Sequence, residues 1–419
     1  MKRLLYSALV LFMALVIIGC NSVIDSNGEK TSQVFLGGYH SLEITPEGQI
    51  STWGRNLYGQ LGDGTRNSKL TPVDITSEFN LNAKETIIQA SLGHSHSSAV
   101  TSEGRIFTWG NNQYGQLGDG TQIIRLIPVD ITSEFNLNAG EKIIEASLSL
   151  GGMYSSAITS DGRIFTWGDN SSGQLGVATA INRLTPVDVT SEFNLNAGET
   201  IIQVSLGSFH SSAVTSEGRI FTWGYNQYGQ LGDATTIDRL TPVDVTLQFN
   251  LNAGEMIIQA SLGGSSHSSA ITSEGRIFTW GSNSSGQLGD GTTTDKSTPV
   301  DISSKFNLNA KEMIIQVSLG HSHSSAITSE GRIFTWGHNF GGKLGDGTTT
   351  NRLTPVDITS EFNLNAEETI IQVSLGFFHS SAITSEKRVF IWGENEYGQL
   401  GDETTTNNFT PVDITSKFN

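Results

Sequence analysis

Three observations predict an all-β fold, a seven-bladed β-propeller of four-stranded blades preceded by a lipoprotein-type signal peptide. The seven tryptophans, Trp53, Trp109, Trp167, Trp223, Trp280, Trp336 and Trp392, recur every 56 to 58 residues inside one repeated phrase. Each repeat holds four short runs rich in Ile, Val, Thr, Phe and Trp, set off by Gly, Ser and Asn, which are the preferences of strands and turns. Beyond the first twenty residues no long window carries a helical apolar period. Repeats this uniform outrank the length prior, which would divide 419 residues into about three domains.

The N-terminus comes first. Lys2 and Arg3 precede a mostly apolar run from Leu4 to Ile18, closed by Gly19 and Cys20. That run falls short of the ~20 residues a transmembrane helix needs and suits the core of an export signal. Its ending, Ile17-Ile18-Gly19-Cys20, resembles a bacterial lipobox, in which cleavage before the cysteine leaves that residue to carry the lipid. Cys20 is the only cysteine in the chain and is assigned that role; an ordinary signal peptide or an uncleaved anchor is the alternative. The expected organisation is 1–19 signal peptide, 20–31 lipidated cysteine and polar tether, and 32–419 propeller. The expected location is extracytoplasmic, at the cell surface or the periplasmic face of a membrane.

Within a repeat, IIQVSL is expected as the first strand, SSAIT as the second, RIFTWG as the third and TPVDIT as the fourth. The turn T-S-E-G joins the second to the third, with Gly104 and its equivalents free to take positive φ. Alternation along the third strand puts Ile106 and Thr108 on one face and Phe107 and Trp109 on the other. Both faces then need burial, as in a blade packed between two neighbours. The FNLNAGE link carries a recurrent Phe (Phe79, Phe135, Phe193), expected as a wedge between blades. SQVFLG supplies the first strand of the ring and TPVDIT the last, so the two ends are expected side by side, in one blade or in adjacent ones.

The phrase G-R-I-F-T-W-G-x-N-x-x-G-Q-L-G-D-G, followed by P-V and by I-x-x-V-S-L-G-x-x-H-S-S-A, closely resembles the regulator of chromosome condensation repeat. The resemblance spans 32–419. It implies a seven-bladed propeller, and by family function a guanine-nucleotide exchange factor or GTPase regulator. The founding member's exchange resembles a wedge mechanism built on an extra loop. Repeat spacing here leaves room only for the two-residue excess at Ser149-Leu150. A plant member senses ultraviolet-B light through Trp in a G-W-R-H phrase. The matching stretches here, such as Gly93-His94-Ser95-His96 and Gly376-Phe377-Phe378-His379, lack that Trp.

Composition narrows the function further. Charged residues are 16%, against about 25% in typical domains, which argues against a disordered or coiled-coil chain. The net charge of −17, with no Lys/Arg stripe, speaks against nucleic acid, and a single cysteine excludes a disulfide framework or a cysteine metal site. His40, His96, His210, His267, His323 and His379 share one repeat position, filled by Tyr154 in the third copy. Each is followed by Ser, so a blade-to-blade hydrogen bond is expected rather than a metal site, because a seven-fold ring is too wide for one tetrahedral ion. The aspartates Asp63, Asp119, Asp233, Asp290, Asp346 and Asp402 stand singly and read as turn residues, not calcium ligands. Val177 replaces the aspartate in the third copy, without other apparent loss to the repeat. The PVD aspartates are expected at a solvated strand edge or as strand-end caps. No G-x-S-x-G, G-x-G-x-x-G, phosphate loop or H-E-x-x-H occurs, so no catalytic residue, metal or cofactor is assigned.

Up-down topology brings the loops between strands one and two, and three and four, to one face. There the copies differ. Arg55, Tyr58, Tyr114, Tyr225, Tyr228, Phe340 and Tyr397 occupy the long loop, and Tyr39, Phe209, Phe377 and Phe378, with His94, Met153 and His321, lie nearer the axis. Exposed aromatic and Arg side chains are enriched at contact surfaces. The expected function is a lipid-anchored, monomeric propeller binding or scaffolding a protein partner through this face, without nucleic acid. A GTPase regulator, a propeller hydrolase or a carbohydrate-binding protein are the alternatives.

Overall fold

The computed structural model describes residues 30–418; the expected signal and the lipidated Cys20 lie outside the described residues. Seven four-stranded antiparallel sheets follow one another along the chain, as blades 1 (33–74), 2 (87–130), 3 (143–188), 4 (201–244), 5 (257–301), 6 (314–357) and 7 (370–413). Each sheet has its strands in chain order, so the first and last blades are adjacent and neither borrows a strand from the other. No helix among the described residues is long and apolar enough to cross a membrane.

Blade 2 shows how the sequence builds the unit. Its strands are Ile87–Leu92, His96–Thr101, Ile106–Gly110 and Arg125–Asp130. Ile106–Gly110 is buried along its whole length, as its two apolar faces demand. In the turn between the second and third strands Gly104 takes φ +83°, which a side chain would strain. The fourth strand starts and stops earlier than the sequence suggested. Asp130 ends it by accepting from the Thr132 amide (2.9 Å) and hydroxyl (2.6 Å). Thr132–Phe135 then turn into a 3-10 helix instead of extending the strand.

Apolar clusters fill each gap between blades. The one between blades 1 and 2 holds Leu42, Ile44 and Ile50 from one side and Ile87, Ala99, Phe107 and Trp109 from the other. The link Phe79 is the wedge: its ring lies edge-on to Phe107 (5.2 Å) and Trp109 (5.5 Å), geometry that aromatic quadrupoles favour. At the closing seam Phe418 stands against Trp53 at 5.6 Å.

Polar clips accompany the wedges. Every Trp indole N–H donates to the backbone carbonyl of the G-Q-L glutamine of the preceding blade (Lys343 in blade 6), at 2.8–3.0 Å. The Ser after each ring His or Tyr154 donates to the same carbonyl at 2.8–2.9 Å. The ring is closed by the same device, Trp53 and Ser41 donating to Gln399.

Candidate binding face at the blade loops

Just beneath the loop face runs the histidine ring. Each His Nε2 lies 2.9–3.3 Å from the Ser hydroxyl of the next blade. That hydroxyl spends its proton on the glutamine carbonyl, so it accepts from an Nε2–H tautomer. Complete burial keeps the rings neutral: His96, His210, His267 and His379 are pushed down to about 3. Tyr154 fills the gap in blade 3, its hydroxyl donating to the His210 carbonyl at 2.6 Å. Gly93 precedes the blade 2 loop because a Cβ there would sit 2.3 Å from His96 Cε1. In blade 3 both partners change together, to Ser149 and Tyr154. No group of three His, Cys, Asp or Glu side chains among the described residues could hold a metal ion.

The long loop is set by Asn and Asp. Asp63 Oδ1 accepts from the Thr65 amide (3.0 Å), the Thr65 hydroxyl (2.8 Å) and Asn56 Nδ2 (2.9 Å). Its other oxygen faces Lys69, and Asp119 likewise pairs with Arg125 at 2.6 Å. These aspartates are turn residues. In blade 3, where Val177 replaces the aspartate, Arg183 Nε and Thr179 Oγ1 are left buried without partners.

Above this frame the variable side chains form separate groups. In the first, around blades 7 and 1, the Arg55 guanidinium lies 5.1 Å from the Tyr39 ring centre and 4.9 Å from that of Tyr397. Tyr39 packs on Phe378 (4.9 Å), Phe378 on Phe377 (4.5 Å), and Phe377 stacks on His321 at 3.7 Å. Arg55 Nε and the Nδ1 atoms of His94 and His321 are buried without hydrogen-bond partners.

The second group is the file Phe209, Tyr225 and Tyr228, joined edge-on at 6.4 and 6.2 Å beside a cleft of about 740 Å³. Tyr58 and Tyr114 belong to a further cleft of about 570 Å³ that Phe209 also lines, making Phe209 the ridge between the two. Phe340 joins neither cleft. It is 68% exposed and its only ring neighbour among the described residues is His338.

One prominent residue escaped the sequence reading. Lys343 stands where the other blades have Gln, and it is 1% exposed with its amine 5.1 Å from the Phe378 ring centre. Burial pushes that amine down to about 8. In the other blades the Gln Oε1 accepts a loop amide, as from Tyr58 to Gln60 at 3.0 Å. An ammonium cannot accept, and Phe340–Gly342 instead winds into a 3-10 turn. The signal was a single broken match in an otherwise regular column.

The opposite face carries the links and repeats closely in blades 2 to 7, Gln49 standing at the arginine position in blade 1. Arg105 donates to Glu85 (3.0 and 2.7 Å) and to Asp130 (3.1 Å), tying link, third strand and fourth strand together. The arrangement repeats with Arg163, Arg219, Arg276, Arg332 and Arg388. Hydrogen bonds from Arg105 hold the Glu85 carboxyl down to about 2. The PVD aspartates of blades 2 to 7 thus cap the strand and also pair with arginine, while Asp74 of blade 1 caps its strand by accepting from the Thr76 amide.

A profile of the RCC1-like domain matches residues 20–363 and 186–419. The ultraviolet-B receptor UVR8 of Arabidopsis thaliana is 29% identical over 91% of this chain and 81% of its own. Human E3 ubiquitin-protein ligase HERC2 is 30% identical over 87% of this chain, which spans 7% of that protein's length. Among solved structures, yeast RCC1 (Prp20) bound to Kap60 superposes with a TM-score of 0.73 at 20% identity, covering 90% of this chain and 84% of that one. Human WBSCR16 gives 0.73 at 22% identity, covering 87% and 93%. At those identities the likeness is one of fold.

Proposed function

This chain belongs to the RCC1-like domain family, and from that premise we propose that it is a lipid-anchored, extracytoplasmic propeller that holds a protein partner on its loop face. The observation that carries the reading is the Arg55 clamp. Arg105 and its five equivalents on the link face each bridge two carboxylates. Arg55, by contrast, lies against the rings of Tyr39 and Tyr397 and has a buried Nε without a hydrogen-bond partner among the described residues. Aromatic and Arg side chains held rigid before binding lose little entropy on contact, which is why such groups dominate interface energies. Support also comes from the yeast relative, whose structure was solved with a protein bound.

Two measurements test the reading. The Cys20→Ala chain should lose fatty-acid labelling and membrane fractionation, while the wild type is labelled and shaved from intact cells by protease. With location settled, the variant carrying Ser at Tyr225, Tyr228, Phe377 and Phe378 should fold normally yet fail to capture the partner that the wild type retains. Intact capture would refute the face. An unlabelled, cytosolic protein that speeds release of fluorescent guanine nucleotide from a small GTPase would replace this reading with exchange activity.

A further inference from the structure

Blade 4 raises Tyr225 and Tyr228 where both of its neighbours have lost bulk. The loop that reads Asn-Gln-Tyr in blades 2 and 4 reads Asn170-Ser171-Ser172 in blade 3 and Asn283-Ser284-Ser285 in blade 5. Two small loops flanking a large one open the cleft of about 740 Å³, a volume in the range of small-ligand sites. Its outer walls come from blades 3 to 5, while its inner end reaches His321, which stacks on Phe377 of the Arg55 group.

The lining has a definite chemistry. Phe209 and Tyr228 are 39% and 45% exposed, and the edge-on file leaves their ring faces unstacked on one another. Around them stand serine hydroxyls. Ser171 is committed to Asp169 (3.1 Å) and Ser208 to the Gly264 carbonyl. Ser172, Ser265, Ser266 and Ser284 also line the cleft, and their hydroxyls have no hydrogen-bond partner among the described residues. No Lys or Arg lines it, and its one carboxylate is Asp295, in a chain of net charge −17.

A ligand suited to these walls must offer C–H faces to aromatic rings and hydroxyls to serines, since hydroxyls left unpaired on closure oppose binding. It must also carry no negative charge, because Asp295 would repel it and His321, the basic side chain of the lining, is held neutral by burial. A sugar ring has that alternation of faces and edges; an apolar ligand would strand the serines. We propose that the cleft between blades 3 and 5 is a binding site for a neutral saccharide chain, one that does not include the Arg55 clamp itself.

The test uses the intact chain solubilised in a non-sugar detergent and titrated calorimetrically with maltohexaose, cellohexaose, chitohexaose and, as the acidic comparison, hexagalacturonate. At least one neutral oligosaccharide should bind saturably and hexagalacturonate should not. Tyr228→Ala should weaken binding about tenfold or more, with the circular dichroism unchanged. Ser172→Val and Ser284→Val should weaken it by removing hydroxyls at nearly constant volume, while Tyr397→Ser should leave it as it was. The proposal is overturned if no neutral probe binds, if the acidic one binds better, or if Tyr228→Ala and both valine variants bind like the wild type. Tyr225 and Tyr228 serve both readings, so partner capture is scored separately on Tyr397→Ser, which lies outside the cleft lining: if that variant captures the partner like the wild type, the Arg55 reading fails whatever the saccharide result.

Discussion

The two faces of this ring are made from the same repeats and behave in opposite ways. On the link face the Glu–Arg–Asp bridge of blade 2 recurs in blades 3 to 7 with nearly the same distances, the Arg largely shielded and the Glu side chain wholly buried. On the loop face no two blades present the same set. Arg55 and Lys343 rest on rings instead of carboxylates, and two serine loops have taken the place of Gln-Tyr. Where the copies agree, the residues hold the ring together. Where they differ at the exposed loop tips, the side chains are available for a ligand.

The largest expected effect lies in the shared layer below the loop face. An imidazole held near 3 when folded, against its ordinary 6.5, binds its proton mainly in the unfolded chain between those values. Stability is therefore complete above pH 6.5 and is lost as pH falls toward 3, by roughly 2 kcal/mol per ring at pH 5. With several such rings, calorimetry should show the melting temperature dropping steeply between pH 7 and pH 5. A flat profile over that interval would mean that the ring is not buried and neutral.

Next comes Gly93→Ala. The added methyl meets the His96 ring at 2.3 Å, and such overpacking should cost about 3 kcal/mol, read from the denaturant midpoint. Arg219→Ala should cost about 2 kcal/mol at neutral pH by stranding Glu199. Arg219 holds the Glu199 carboxyl down to about 2, so this contribution is present above pH 4.5 and fades toward pH 2. The gap between variant and wild type should close on acidification; a gap that stays constant would show that the bridge is not the cause. Smallest is Tyr225→Ser on the loop face, within about 0.5 kcal/mol of wild type. A loss comparable to that of Arg219→Ala would erase the contrast between the faces.

Much of this was legible before the structure. The strand pattern, the Phe79 wedge and the His–Ser bridge each follow from a residue type recurring at one position. The clip on the Gln60 carbonyl was not, because any residue supplies a backbone carbonyl and Lys343 does so as well as Gln. The Glu85–Arg105–Asp130 bridge joins residues up to 45 apart in sequence, and only folding brings them together. The strand-end cap at Asp130 was one of the two readings of the PVD aspartates, and the structure shows it in the bonds from Thr132. At the loop face the sequence identified the aromatic residues but not the cleft, since Ser172 and Ser284 matter only as the low walls beside Tyr228.

Each blade is one uninterrupted stretch of chain, and the seam between blades 7 and 1 uses the same Trp and Ser donors as the other six. No junction is privileged. A circular permutant joined across that seam and reopened at another inter-blade link would meet the same partners in the same cyclic order, and should therefore refold into the same ring.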